Sequence, residues 1–354
     1  MKSKDIIRRR MENQGITGMS FPDTETMFGR MGCIQAQDFA QAKWALGMRV
    51  SGSSEGGIDR DFNEGKILRT HVLRPTWHFV LPADIGWMLK LTAPRIKAFS
   101  RPVHRQLSID THILRLSKKI MAKALEGGKQ MTRQELAVLL RKAGIDTNDI
   151  RMSFLMMDAE LDGLICSGAR KGKQFTYTLL EERVKRVLDL TDEEALGELA
   201  RRYFYSRGPA TLPDFAWWSG LNLALAKRGL EIGKAGLECT VTNGQAYWFQ
   251  REGKGKDTTS GKTARPAAGR DHPMAAVLLL PAYDEYAVAY KDRSDMLPPE
   301  YAKTTFHGLK PIVVVNGRVA GMWRRTQQKG RMTVEPMLRY FCATRQNVFY
   351  LHIT

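Results

Sequence analysis

Apolar residues recur at helical spacing in some stretches of the chain and alternate with polar ones in others, and these two rhythms divide it into consecutive modules. A helix is expected over 4–13. The run "ILRTHVLRPTWHFVLP" alternates as strand or wing, with Pro75 confined to an edge, bulge or turn because it has no ladder donor. After Pro82 the run "PADIGWMLKLTAPRIKAF" turns helical, with Trp87, Leu91 and Ile96 on its apolar face. These stretches make up a first module, residues 1–98.

In the second module, 99–185, "MTRQELAVLLRKAG" has Thr132 as N-cap, Glu135 at capping-box spacing and Gly144 as its stop. The helical run "IRMSFLMMDAELDGLI" and the turn-rich hairpin "CSGARKGKQFTYTLL" follow it, and helix, short turn, helix and hairpin make a winged helix-turn-helix. The pattern recurs over 186–250 as a helix, a Gly-Pro break, a short helix over 211–218, a third over 221–229 and a hairpin turned at Asn243-Gly244. The repetition is of pattern and not of letters. Residues 251–273 are rich in Gly, Lys, Thr and Pro and read as a mobile basic loop, while 274–354 is β-rich, with a hairpin around Asn316-Gly317. The expected fold class is α+β, with tandem winged helix-turn-helix modules and a β-rich C-terminal part.

Composition sharpens the function more than the fold. The chain has 354 residues, 43% of them hydrophobic, which suits a globular protein with a substantial core. Lys and Arg number 55 against 37 Asp and Glu, for a formal charge of +18, and the pI is about 9.8. Such an excess points to a polyanionic partner, with nucleic acid ahead of an acidic membrane, because neither a long uncharged apolar span nor a continuous basic amphipathic helix is present. The basic start "MKSKDIIRRRMENQG" has no apolar signal core behind it, so a cytoplasmic, nucleoid-associated location is expected. Cys33, Cys166, Cys239 and Cys342 are far apart and read as buried free thiols.

The candidate chemistry centres on Gln35-Ala36-Gln37. Two carboxamides at i and i+2 come to one side only on extended backbone; on a helix they diverge. Amides orient water and offer dipoles to a developing charge, but they do not take a proton near neutral pH, so a reaction they assist needs a good leaving group already in place. The competing reading is that they line the start of the helix "DFAQAKWAL", with Asp38 as its N-cap. Cations beside aromatics recur at Lys43 and Trp44; at Arg74, Trp77 and His78; at Arg201, Arg202 and Arg207 around Tyr203 and Tyr205; and at Trp323, Arg324 and Arg325. These mixtures suit phosphate contact and base stacking, or else aromatics in the core beneath a solvated cationic face. The seven histidines, His71, His78, His104, His112, His272, His307 and His352, form no ligand spacing, and no nucleophile elbow or Walker-type loop occurs, so no metal or other cofactor is expected. In "LLLPAYDEYAVAYKDRS", Asp284, Glu285, Asp292 and Asp295 could activate water or hold a metal, but read more simply as a turn whose carboxylates neutralise Lys291 and Arg293.

The segments "GCIQAQDFAQAKWALGMR", "LRTHVLRPTWHFV", "SRGPATLPDFAWWSGL", "LLLPAYDEYAV" and "KPIVVVNGRVAGMWRR" together resemble the winged-helix DNA-binding family that includes the AlkZ-like bacterial DNA glycosylases, over nearly the full length. Those enzymes excise alkylated purines and unhook interstrand crosslinks. The resemblance implies three winged-helix motifs around a DNA-binding channel, a contributing β-hairpin, and a catalytic Gln-x-Gln matched position by position by Gln35, Ala36 and Gln37. A relative branch has Asp in place of the second Gln, so Gln37 puts this chain on the Gln-x-Gln side. It further implies a monofunctional glycosylase for cationic N-alkylpurines such as N7-alkylguanine in double-stranded DNA, with no obligate protein partner. Arg318, Trp323 and Arg324 on the hairpin, with Lys43, Trp44, Arg74, Trp77 and His78, are the expected DNA contacts. The competing functions are a non-catalytic winged-helix regulator and an architectural DNA-binding protein.

Overall fold

Local signals place most elements. The computed structural model describes residues 1–18, 20–251, 277–297, 309–328 and 331–338. In chain order the first elements are α1 (Ser3–Asn13), α2 (Thr24–Met31), β1 (Cys33–Gln35), α3 (Phe39–Arg49), α4 (Glu55–Asn63), β2 (Leu68–Val72), β3 (Thr76–Val80) and α5 (Pro82–Gln106). Then come α6 (Thr111–Leu125), β4 (Met131–Thr132), α7 (Arg133–Lys142), α8 (Arg151–Leu161), β5 (Ile165–Ser167), β6 (Thr176–Leu179) and α9 (Leu180–Arg183). The rest are α10 (Asp192–Arg207), α11 (Leu212–Ser219), α12 (Leu223–Gly233), β7 (Leu237–Thr242), β8 (Gln245–Gln250), β9 (Val277–Leu280), α13 (Glu285–Val288), β10 (Ile312–Val315), β11 (Arg318–Gln328) and β12 (Arg331–Leu338). The architecture is mixed α+β. Two compact units result, one of residues 1–53, 201–218 and 234–354, the other of 54–200 and 219–233.

In the unit of 54–200 and 219–233, β2 and β3 form an antiparallel hairpin from Leu68↔Val80 to Val72↔Thr76. Pro75 falls in its turn, and Leu73 there takes a positive φ of 62°. Every residue of β2 is buried, so the alternation expected of a half-exposed wing is replaced by an interior strand. Its His71 turns both the backbone N–H (3.1 Å) and Nδ1 (2.5 Å) to the Glu160 carboxylate of α8. Helix α5 continues through Pro94 and Pro102; both prolines are exposed, so the backbone groups they leave unpaired lie where water reaches. Trp87 and Ile96 of α5 are buried as its pattern predicts, while Leu91 is only partly so.

Helix α7 starts on the expected capping box: the Thr132 Oγ1 accepts from the Glu135 N–H at 3.2 Å, and Glu135 Oε2 accepts from the Thr132 N–H at 2.7 Å. Leu136 and Leu140 of α7 pack with Leu155 of α8, Ile165 and Leu179 of the hairpin, and Met121 of α6. The three strands lie in the order β4-β6-β5.

In the other unit, β9 to β12 form an antiparallel sheet in the order β12-β11-β10-β9. Ile7 and Met11 of α1 pack on Leu280, Tyr286, Ile312 and Val319. The β10–β11 turn uses Asn316 (φ 52°) and Gly317 (φ 77°), and a Cβ on Gly317 would meet Ile7 Cγ2 at 2.0 Å. Turn chemistry and tight packing therefore demand the same glycine. The β7–β8 hairpin turns at Asn243-Gly244, as its sequence predicts. The expected basic loop at 251–273 lies, beyond Arg251, outside the described residues. Among the described residues no helix is long and apolar enough to cross a membrane.

Candidate active site

Strand β1 ends at Gln35, Ala36 follows fully buried, and Gln37 lies in the bend that leads into α3. Gln35 is 6% exposed and Gln37 is half-buried, so the two amides straddle the end of a strand at the margin of the interior. The cap reading also holds: Asp38, in extended conformation, accepts from the Gln41 N–H at 3.1 Å and starts α3. Capping and an extended Gln segment coexist, because the cap residue is Asp38 and the amides precede it. The Gln41 amide oxygen accepts from the Ala282 N–H at 3.0 Å, tying α3 to the segment after β9.

Beneath the Gln pair lies a network that the sequence did not announce. Glu285 Oε1 accepts the Gln35 backbone N–H at 3.0 Å. Its Oε2 accepts from Arg207 Nε (2.9 Å), Arg207 Nη2 (2.6 Å) and Trp218 Nε1 (2.9 Å). Arg207 also donates to the Met31 carbonyl at 2.8 Å and the Cys33 carbonyl at 2.9 Å, and its guanidinium lies over the Trp218 ring. Next to Glu285 in sequence, Asp284 forms a bidentate pair with Arg49, both bonds 2.8 Å, while its Oδ1 caps α13 through the Tyr286 N–H. All four charged side chains of these two pairs are fully buried.

This corrects the expectation that the acidic run neutralises Lys291 and Arg293. Lysine and arginine a few residues away are reached by an exposed turn, but Asp284 and Glu285 face inward, and a buried carboxylate requires a buried, multiply donating partner. Asp292 instead accepts from the Ser294 N–H, and Asp295 lies 3.6 Å from Arg10. Tyr290 completes the interior network, accepting from Gln14 Nε2 at 2.9 Å and donating to the Arg207 carbonyl at 2.8 Å. Burial pushes its phenol well above the usual tyrosine range, so it acts as a neutral hydroxyl.

The expected DNA-contacting residues separate by burial. Arg318 and Arg324 are exposed on β11, and Arg324 is paired with Glu335 across the strands at 2.7 Å. Trp323 is 2% exposed, donates to the Leu280 carbonyl at 2.8 Å and lies 4.9 Å from the Trp44 ring. With its ring covered, Trp323 anchors the strand that displays Arg324 rather than offering a stacking face. Trp44 is half-buried and donates to the Leu279 carbonyl at 3.1 Å, and Lys43 is largely buried with Nζ 5.4 Å from the Phe39 ring.

In the other unit Arg74 is half-buried beside the exposed Pro75. Trp77 lies against Arg69 (4.3 Å) and His71 (4.4 Å), and His78 is fully buried with Nδ1 2.9 Å from the Thr76 carbonyl. Arg202, Arg207 and Tyr203 are interior and belong to the core, whereas Arg201 and Tyr205 of the same cluster are half-buried, with the guanidinium 5.2 Å from the Tyr205 ring. The helical period alone does not tell which side of α10 is covered. Cys33 and Cys166 are buried and in no disulfide, and burial pushes the Cys166 thiol up to about 12, whereas Cys239 is exposed, contrary to expectation. It alternates outward on β7, a two-stranded hairpin with one open face. Cys342, His272, His307 and His352 lie outside the described residues. Among the described residues no group of three or more His, Cys, Asp or Glu is placed to hold a metal ion.

The chain shares the fold of the solved Streptomyces sahachiroi DNA glycosylase AlkZ, with which it aligns at a TM-score of 0.74 and 20% identity, over 98% of this chain and 92% of that one. It is also 22% identical over 350 residues to the interstrand DNA cross-link repair glycosylase of Streptomyces sahachiroi, covering 94% of this chain and 90% of that protein. The sequence model of the family described as DNA glycosylase AlkZ-like matches residues 28–348, and the chain belongs to that family. Its substrate is accordingly DNA, its reaction is hydrolysis of an N-glycosyl bond, and the regulator and architectural readings are not favoured.

Proposed function

We propose that this glycosylase removes cationic N-alkylpurines, N7-alkylguanine among them, including those that crosslink the two strands, with Gln35 and Gln37 as its catalytic residues. The observation that carries the reading is the placement of two amides about the end of β1, with the Gln35 backbone tied to the fully buried Glu285. Alkylation at N7 puts positive charge on the base, so the C1′–N9 bond breaks with its electron pair leaving on a base that becomes neutral, without prior protonation. The sugar is left as an oxocarbenium-like cation. The carbonyl dipoles of Gln35 and Gln37 stabilise that cation and hold the water whose oxygen forms the new bond to C1′, its proton passing to solvent. Amides suffice here because the leaving group needs no general acid.

On this reading residues 99–185 form a winged helix, with α7 and α8 as the helix-turn-helix and β5–β6 as the wing, and 1–98 and 186–250 are its counterparts around a DNA-binding channel. The β10–β11 hairpin presents Arg318 and Arg324 to the phosphates, Trp323 and Trp44 buttress it, and Lys43 on α3 together with Arg74, Trp77 and His78 of the β2–β3 hairpin support or contact the DNA. The test is base release from a duplex carrying one site-specific N7-alkylguanine. Each Gln→Ala change should cost roughly 2–4 kcal/mol of transition-state stabilisation, and the double variant should lose release while retaining duplex affinity. Unchanged release in Gln35→Ala/Gln37→Ala would remove the catalytic assignment.

A further inference from the structure

A carboxylate with no exposure to water is costly unless several donors meet it, and Glu285 is met by donors from Gln35, Arg207 and Trp218. What those donors hold in turn is the informative part. Glu285 takes the N–H of Gln35, and Arg207, bound to the same carboxylate, takes the carbonyls of Met31 and Cys33. In an extended strand the backbone groups of residues i and i+2 point to the same side. Cys33 O and Gln35 N–H therefore form one edge of β1, and the Glu285–Arg207 pair occupies that edge as a neighbouring strand would, offering an acceptor to one group and a donor to the other.

We infer that Glu285, backed by Arg207, is the positioning residue of the reaction: it fixes the register and orientation of β1, and so the place from which the Gln35 and Gln37 amides act. The inference rests on the assignment of those amides as catalytic. Trp218 holds the second carboxylate oxygen at 2.9 Å, so Glu285 is fastened from both sides and the strand is fixed against a rigid group. A side chain that touches no substrate matters here because amide dipoles act over a short range, and a displacement of about 1 Å is enough to cost on the order of 10²-fold in rate. Nothing in the local sequence marks this role, since Glu285 and Gln35 are 250 positions apart.

The inference is tested with the full chain and a duplex carrying a single N7-methylguanine, measuring single-turnover release at saturating enzyme alongside the Kd for the same duplex. Glu285→Gln keeps the shape but cannot accept from Gln35 while also accepting from Arg207 and Trp218 with one oxygen. Glu285→Asp keeps the charge opposite Arg207 and withdraws the carboxylate from the Gln35 N–H. Both variants should slow release roughly 10-fold or more, with Kd within about twofold and Glu285→Asp the better folded of the two. Wild-type release rates in either folded variant, with Gln35→Ala/Gln37→Ala inactive, would overturn the positioning role and leave the amide assignment intact. Equal loss of rate and affinity in both would also overturn it, as a merely structural role does this. Should Gln35→Ala/Gln37→Ala release base like the parent, the amide assignment falls, and this inference with it, whatever Glu285 does.

Discussion

Asp284 and Glu285 are adjacent and chemically alike, yet each serves a different guanidinium from a distant part of the chain. Arg49 lies 235 positions from Asp284, and Arg207 lies 78 from Glu285. Buried pairs of this kind contribute little net stability over apolar packing, but removing one partner leaves an uncompensated charge in the interior. Asp284→Ala should therefore destabilise the unit of 1–53, 201–218 and 234–354 by about 3–5 kcal/mol, read from the shift of its denaturant midpoint at constant slope. A loss below about 1 kcal/mol would mean that the Ala45 carbonyl and the Gln14 amide, which Arg49 also reaches, satisfy the guanidinium without the carboxylate. At this scale the sequence was read only in part. The identities of the carboxylates were visible, but their partners were not, because an ion pair closed by the tertiary fold leaves no mark in the spacing of either residue.

Among the elements, those with local chemistry were legible. The capping box of α7 needs only Thr132 and Glu135, three residues apart, and the Asn243-Gly244 and Asn316-Gly317 hairpins need only two residues that accept positive φ. The Glu135 carboxylate is held below its ordinary range by the Thr132 backbone N–H, then by the Thr132 hydroxyl and by Lys171. A depressed carboxylate contributes stability above its unfolded pKa and loses it as the pH falls through the lower folded value. Glu135→Gln should thus melt below the parent at neutral pH, and the two melting temperatures should converge as the pH is taken below the ordinary glutamate value of about 4.3. A gap that persists in acid would assign the effect to the shape of the side chain and not to its charge. Strand β2 was legible in position but not in burial, since alternation in the sequence described a half-exposed strand and the packing covered both faces.

For the molecule as a whole, the formal charge of +18 and membership of a DNA glycosylase family make one prediction on electrostatic grounds alone. Duplex affinity should fall steeply and linearly on a log–log plot against salt, as neutralised phosphates release their counterions. Arg318→Ala, on the exposed face of β11, should lower the magnitude of that slope by about one and weaken undamaged and damaged duplex alike; an unchanged slope would take Arg318 out of the phosphate-contacting set. Sequence by itself determined the basic character of the chain, many of its helices and hairpins with their turns and caps, and the Gln35-Ala36-Gln37 segment as the place to look, because each depends on composition or on residues within a few positions of one another. Only the tertiary structure decided that Trp323 and His78 are covered while Arg318 and Arg324 are exposed, and that Glu285 and Arg207 hold the edge of β1. The reason is physical: burial and long-range hydrogen bonding belong to the packed chain, and a residue's neighbours in space are fixed only once the elements have found one another.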